Sequence, residues 1–238
     1  MPTKIEWCDE TWNPVTGCKP ISEGCQNCYA KRMFGRKLWG YDFTPGTLHK
    51  DRLKQPAKWK TPKRIFTVSM GDLACECDSD VENFIDVWGV IRNCPWHTFI
   101  ILTKRPQRLR QLWELVGDVL PNVWMGVTAE NQARFDERVH WLLLIPAVVR
   151  FVSIEPMLGP VNACAGWWHM ERDGGDRRQP EDSIHWVIAG PETGPGARPC
   201  KNRWLENLYL DCCGANVPFF LKKHANGQPS NLKEWPAT

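Results

Sequence analysis

The chain has 238 residues, of which 42% are hydrophobic, and this is enough apolar material for a packed core. Its 30 Lys and Arg residues are nearly balanced by 27 Asp and Glu residues, so the formal net charge is only +3. This composition excludes a disordered polypeptide, and the charge alone demands neither a nucleic acid nor an anionic membrane as partner. No apolar run approaches the roughly 20 residues of a membrane span, and the first residues lack the apolar stretch of a secretory signal. We therefore expect a cytoplasmic protein that does not bind membranes.

Short β-branched or apolar runs recur along the chain and predict strands that are covered on both faces. A short first strand is expected near 11–15, followed by strands at 65–69, 98–103, 123–127, 148–153 and 184–189, with 219–221 as a seventh. Segments with helical spacing of apolar residues alternate with them at 81–91, 108–116, 131–144 and 203–212. The alternation predicts an α/β fold with right-handed crossovers and a parallel sheet. It suits either a doubly wound open sheet or an incomplete barrel of six βα units.

The chain is expected to form one domain over residues 1–223. A polar, Gly-containing segment at 171–182 predicts a solvated loop between the fifth and sixth units. Residues 224–238 carry Asn226-Gly227 and Pro229, and we expect an irregular C-terminal tail there.

Polar side chains follow each of the longer predicted strands. They are Ser69, Gly71 and Asp72 after the second strand, Lys104 and Arg105 after the third, Thr128 and Glu130 after the fourth, Ser153 and Glu155 after the fifth, and Glu192 after the sixth. Capping of the following helices explains some of these residues individually. A whole edge of charged and hydroxyl groups is more typical of a binding site at the carboxyl ends of the strands.

Eleven cysteines are the strongest compositional signal. In a reducing cytosol they favour metal binding, catalysis or burial over disulfides. Three of them, Cys18, Cys25 and Cys28, form a C-x6-C-x2-C array in a Gly- and Pro-containing loop after the first strand. Such an array is compatible with three buried thiols, with a zinc ion closed by Cys8 or a remote histidine, or with a [4Fe-4S] cluster that has one iron open. Three sulfurs without an obvious fourth ligand favour the cluster.

Several motifs resemble the radical S-adenosylmethionine (radical SAM) superfamily, and more closely a phage-associated radical SAM-like family. They are W-N-P-V-T-G-C at 12–18, G-C-x-N-C-Y-A at 24–30, T-K-R-P at 103–106, S-I-E-P-M-L-G at 153–159 and G-P-G-A-R-P at 194–199. The first cysteine spacer is three residues longer than in the commonest superfamily pattern, C-x3-C-x2-C. The resemblance covers about residues 7–222 and implies an incomplete (βα)6 barrel of the radical SAM type.

The resemblance also implies the cofactors and the roles of the residues. Cys18, Cys25 and Cys28 would bind a [4Fe-4S] cluster whose open iron binds SAM, and one electron would then cleave SAM to a 5′-deoxyadenosyl radical. Residues expected to bind SAM are Ser69, Gly71 and Asp72 for the amino group, Lys104 for the carboxylate, Thr128 and Glu130 for the ribose, and Ser153. Glu155 and Glu192 are candidates for contact with SAM or substrate, and Cys75 and Cys77 for hydrogen donation or a second cluster. A flavodoxin or ferredoxin would supply the electron.

The substrate is indicated less directly. Lys54, Lys58, Lys60, Lys63 and Arg64 surround Trp59, a combination that suits phosphates and a stacked base. A solvated helix face explains the same residues equally well. We expect modification of a nucleobase or nucleotide, as in phage DNA modification, with a small metabolite or peptide as the alternative substrate. A zinc-stabilised nucleic-acid-binding module and an iron–sulfur electron carrier are the competing functions.

Overall fold

A computed structural model describes residues 3–35, 42–163 and 183–237. Within these ranges the strands are β1 (Glu10–Trp12), β2 (Val15–Thr16), β3 (Thr47–Leu48), β4 (Arg64–Thr67), β5 (Thr98–Thr103), β6 (Val123–Thr128), β7 (Val149–Ile154), β8 (Trp186–Ala189) and β9 (Phe219–Leu221). The α-helices are α1 (Tyr29–Gly35), α2 (Gln55–Lys58), α3 (Asp80–Arg92), α4 (Pro106–Val116), α5 (Gln132–Leu143) and α6 (Asn202–Gly214). The predicted polar loop at 171–182 lies outside the described residues.

Seven strands form a parallel sheet in the order β1-β4-β5-β6-β7-β8-β9, whereas β2 and β3 pair antiparallel. The predicted α/β class and parallel sheet are therefore confirmed. Because these strands follow one another in chain order without the reversal typical of a doubly wound sheet, the sheet is consistent with an incomplete barrel.

The predicted strands and helices agree with the structure to within about two residues, apart from the first strand. In place of one strand near 11–15 there are two, β1 and β2, separated by Asn13 and Pro14. Pro14 has no N–H group to donate to a ladder. The Asn13 side chain instead accepts hydrogen bonds from the end of β4. The chain thus leaves the main sheet at Asn13 and pairs with β3.

The chain divides into two compact units, Met1–Met125 and Gly126–Thr238. The first unit buries large side chains from β1, β4, α3 and β5: Trp12, Ile65, Phe84, Trp88, Ile91 and Phe99. The second buries side chains from α5, β7, β8 and β9: Phe135, Arg138, Phe151, Trp186, Phe219 and Phe220. Strands covered by helices on their faces account for these continuous apolar runs.

The described C-terminal residues return along β9. Leu221 donates its backbone N–H to Leu232 O at 2.9 Å, and Glu234 donates to Phe219 O at 3.1 Å. The rings of Trp235 and Trp186 stack with their centroids 5.1 Å apart. The segment after residue 223 therefore packs against β8 and β9 within the second unit. None of the helices in the described ranges is long and apolar enough to cross a bilayer.

Gly126 in β6 provides a test of the packing between neighbouring strands. A Cβ atom at this position would lie 2.3 to 2.5 Å from three ring atoms of Phe151, which is fully buried in β7. We expect Gly126→Ala to lower the free energy of unfolding by about 2 kcal/mol, because the ring has no free space to move into. Urea unfolding of the variant measures this loss.

Gly89→Ala is the matched control, because Gly89 lies inside α3 with open space around its Cβ position. This substitution should raise the free energy of unfolding by up to about 1 kcal/mol through helix propensity. Equal effects of the two substitutions would contradict the packing described here.

Candidate functional site

The W-N-P-V-T-G-C segment connects β1 to the cysteine loop and joins it to the end of β4. Asn13 Oδ1 accepts hydrogen bonds from Ser69 Oγ at 3.1 Å and from Met70 N at 2.8 Å. Gly17 N donates to Met70 O at 3.0 Å. A side chain at Gly17 is excluded because its φ is +85° and its Cβ would lie 1.9 Å from Thr44 O. The motif therefore places Cys18 directly beside the carboxyl end of β4.

Each of the three loop cysteines has a distinct local environment. Cys18 follows Gly17, Cys25 ends a 3₁₀ turn (Glu23–Cys25), and Cys28 directly precedes α1. All three are half-buried free thiols. Cys28 packs against a small apolar cluster that contains Met70, which follows β4. The structure thus brings the predicted loop to the end of the sheet where polar strand termini were expected.

Asp72, which follows β4, is buried and accepts four hydrogen bonds. Its Oδ1 accepts from Thr103 Oγ1 at 2.7 Å and from Ala74 N at 3.0 Å. Its Oδ2 accepts from Lys104 N and from Arg105 Nη1, both at 3.1 Å. A carboxylate has about four acceptor positions, and protein donors use all of them here. This arrangement favours a role for Asp72 in positioning the T-K-R-P segment at 103–106, which joins β5 to α4 and is called the corner below.

The two cations of that corner point at the sulfurs of the loop. Arg105 Nη1 lies 3.4 Å from Cys18 Sγ, and Lys104 Nζ lies 3.8 Å from Cys25 Sγ. Arg105 Nη2 also donates to Lys19 O at 2.5 Å, which ties the guanidinium to the loop backbone. Nearby cations favour the thiolate form, which is the form that binds metals. The corner therefore provides positive charge where thiolates would be needed.

The pKa of Cys25 reflects this environment. Burial alone would raise the pKa of its thiol, but the Lys104 ammonium and hydrogen bonds from Ile21 and Ser22 outweigh burial. The net effect lowers the pKa of Cys25. The neighbours of Cys25 thus favour its thiolate form.

Cys75 lies against Cys18, although 57 residues separate them. Cys75 Sγ accepts a hydrogen bond from Lys19 N at 3.4 Å. A hydrogen bond between the two sulfurs lowers the pKa of Cys75 and raises the pKa of Cys18. Burial also raises the pKa of Cys18. The sequence analysis named Cys75 as a candidate near the end of the second predicted strand but did not predict its contact with Cys18.

The other residues predicted in the first unit also lie near the β4 end. Ser69 is nearly buried, and its carbonyl accepts a hydrogen bond from the Tyr29 hydroxyl. Gly71 forms a parallel bridge with Gly17. Cys77 packs against Gly46, where a Cβ would lie 2.2 Å from the sulfur. Val68 precedes them with a φ of +63°, a strained conformation for a β-branched residue, and such strain is concentrated at functional sites.

The second unit contains its own group of polar strand ends. Glu155 Oε1 lies 3.0 Å from Lys222 Nζ, and Glu155 Oε2 accepts a 3.4 Å hydrogen bond from Ser153 Oγ. Glu192 forms a bidentate pair with Arg198, whose Nε lies 2.9 Å and whose Nη2 lies 2.5 Å from the two carboxylate oxygens. Both predicted carboxylates therefore have cationic partners from later loops.

Glu130 is fully buried, with its Oε2 3.0 Å from Arg138 Nη1. The same Nη1 donates to the Thr128 carbonyl at 2.6 Å. Glu130 also accepts a hydrogen bond from Leu158 N at its backbone oxygen. This placement favours a structural role for the pair Glu130 and Arg138, which holds the end of β6 onto α5.

The loop supplies three thiols, and thiolates are the ligands that iron–sulfur clusters take. Nowhere in residues 3–35, 42–163 and 183–237 do three or more His, Cys, Asp or Glu side chains form a group that could hold one ion. A single zinc ion requires its ligands to meet at one point. A four-iron cluster is held by cysteine thiolates that surround one cubane. Cys18, Cys25 and Cys28 are the residues that would hold it.

Comparison with known proteins identifies the family. A family model described as "Protein of unknown function (DUF5131)" matches residues 2–235. The chain belongs to the DUF5131 family. No curated protein and no solved structure matches it. The family description names no reaction.

Removal of the Asp72 carboxylate tests its role in holding the corner. Its side chain and that of Arg105 are 7% and 8% exposed. We expect Asp72→Ala to lower the free energy of unfolding by about 3 kcal/mol or more, because it leaves the guanidinium buried without its partner. Urea denaturation followed by circular dichroism measures the change.

Asp9→Ala is the matched control, because Asp9 pairs with Arg64 in an exposed position, with side chains 41% and 36% exposed. Exposed pairs contribute about 1 kcal/mol at most. If both variants lost the same stability, Asp72 would not hold the corner as described.

Proposed function

We propose that this DUF5131 protein is a radical SAM enzyme that modifies a nucleobase or nucleotide. The observation that carries the proposal is the arrangement at the ends of β4 and β5. Three free thiols of one loop lie there, and two of them have cationic head groups against their sulfurs. A [4Fe-4S] cluster bound by these thiols would bind SAM at its open iron and supply the electron that cleaves the S–C5′ bond.

The residues of the corner have complementary tasks. Arg105 and Lys104 offset the negative charge of thiolates at Cys18 and Cys25. Lys104 is half-buried, with its ammonium 3.5 Å from Ser22 Oγ, and we assign it to the SAM carboxylate because the two charges are complementary. Asp72 orients both cations rather than binding a ligand itself, because its acceptor positions are filled.

The other polar residues that follow the strands are assigned to SAM or to the substrate by their chemistry. Ser69 and Gly71 lie on the segment beside the cysteine loop, where they suit the SAM amino group. Glu155 with Lys222, and Glu192 with Arg198, provide paired charges in the second unit that suit a polar substrate. Cys75 is assigned to hydrogen donation near Cys18, and flavodoxin or ferredoxin is the proposed electron donor. The incomplete barrel is proposed to be of the radical SAM type.

The loop cysteines test the proposal directly. Cys18→Ala, Cys25→Ala and Cys28→Ala should each abolish incorporation of iron and inorganic sulfide during anaerobic reconstitution, because two thiolates hold a cluster poorly. Release of 5′-deoxyadenosine from SAM under dithionite should fall below detection in the same variants. Iron, sulfide and nucleoside analyses measure the two effects.

Cys213→Ala is the matched control, because Cys213 is an exposed thiol on α6 outside the first unit. It should retain about four irons per chain and full SAM cleavage. Retention of SAM cleavage in any loop variant would refute the assignment. Colourless protein with one tightly bound zinc would favour the nucleic-acid-binding module, and iron-loaded protein inert toward SAM would favour an electron carrier.

A further inference from the structure

A second candidate site lies at the opposite ends of β4 and β5. A cleft of about 590 Å³ opens between the α2 segment and the C-terminal turn of α3. We call it the lysine cleft and define it by its lining residues: Leu53, Lys54, Ala57, Lys58, Lys60, Val90, Asn93 and Cys94. The α2 segment precedes β4 and the end of α3 precedes β5, so the cleft lies at the amino ends of these strands. The cysteine loop lies at their carboxyl ends.

The lysine cleft concentrates positive charge that the rest of the chain lacks. Residues 50–64 contain seven Lys and Arg residues and one Asp, a local charge of +6 in a chain whose net charge is +3. Lys63 and Arg64 are neutralised by Glu10 and Asp9. The three lysines of the cleft form no ion pair with a described carboxylate, and none of the lining residues is acidic.

Several charged residues elsewhere on the described surface form ion pairs. Exposed or half-exposed pairs are Arg92 with Asp118, Arg110 with Glu114, and Arg134 with Glu137. Three unpaired lysines around one cleft repel each other, and an anion placed between them relieves this repulsion. The apolar floor formed by Leu53, Ala57 and Val90 suits a ligand with an uncharged part as well.

An exposed aromatic ring is fixed beside the cleft. Trp96 is 42% exposed, and its indole Nε1 donates to the Trp59 carbonyl at 3.2 Å. Trp59 lies between Lys58 and Lys60 in the sequence, so this hydrogen bond ties the Trp96 ring to the backbone segment that carries these cations. His97 packs against both indoles, with ring centroids 5.5 Å and 6.0 Å away. The ring is therefore held in place while one part remains open to solvent.

We propose that the lysine cleft binds the phosphate backbone of a single-stranded nucleic acid and that Trp96 stacks on one of its bases. Cations that follow a backbone next to an exposed aromatic ring are the combination by which proteins hold single strands. Bases of a duplex are stacked on each other and are not available to such a ring. This site goes beyond the proposed radical chemistry, because it needs neither iron nor SAM.

A structural explanation of the lysines is also testable. The C-terminal turn of α3 carries partial negative charge, which cations stabilise. If this were their only task, removal of the lysines would lower stability and leave nucleic-acid binding unchanged. The stability of each variant is therefore measured together with its affinity.

The test uses the full chain and a fluorescein-labelled 20-nucleotide single-stranded DNA in a salt titration by anisotropy. Three lost phosphate contacts, each contributing about −0.7 to the slope of log K against log[salt], should reduce the magnitude of the slope by about 2. The triple variant Lys54→Ala, Lys58→Ala, Lys60→Ala should therefore bind roughly 100-fold more weakly at 0.1 M salt. The control Lys201→Ala, Arg203→Ala, Lys223→Ala removes the same three charges from exposed positions and should change the slope by less than 1.

Trp96→Ala separates stacking from general attraction to anions. It should weaken single-strand binding about tenfold without changing the salt slope, and it should leave duplex binding unchanged. Equal slopes for the two triple variants would overturn the lysine cleft as a binding site. Unchanged single-strand affinity in Trp96→Ala would overturn the stacking assignment. Because every measurement is made without iron or SAM, failure here is distinguishable from failure of the radical chemistry.

Discussion

The buried carboxylate of Asp72 is the constraint on which the candidate site depends. It joins the ends of β4 and β5 through Thr103 and the backbone of Lys104, and it holds the Arg105 guanidinium in an environment that is otherwise unfavourable for a charge. The guanidinium in turn donates to the loop backbone at Lys19. One carboxylate and one guanidinium therefore connect the cysteine loop to the sheet and fix the position of the loop.

The charges in this region do not cancel within the corner itself. Asp72 contributes one negative charge, and Lys104 and Arg105 contribute two positive charges, so a surplus of one positive charge faces the sulfurs. The contact with Cys18 and the charge of Arg105 lower the pKa of Cys75, which favours a thiolate beside these cations. A surplus of positive charge is what a site that holds anionic sulfurs requires. A purely structural corner would be expected to balance its own charges.

Local sequence patterns were sufficient to predict the strands and helices, but they did not predict which side chains contact each other. Period and composition placed β5 and β9 at their observed limits, because both are short apolar runs bounded by polar residues. Asp72 was expected to face a ligand, but three of the four donors that occupy its carboxylate come from residues 103–105, and their approach depends on the register of two strands. The partners of two other residues were also not predicted. Glu130 pairs with Arg138, which lies two turns into α5, and Cys75 lies against Cys18. Contacts between residues distant in sequence leave no local signature in a single chain.

The distance between the two candidate sites, which lie at opposite ends of β4 and β5, also limits which ligands can contact both. A strand rises about 3.3 Å per residue, so the six residues of β5 separate the lysine cleft from the corner by about 20 Å. A free nucleotide bound in the cleft would therefore remain far from the thiols. A polymer of several nucleotides spans such a distance, and its affinity would come mainly from phosphates away from the reacting base. Among nucleic-acid substrates, the separation of the two sites thus favours a polynucleotide over a monomer.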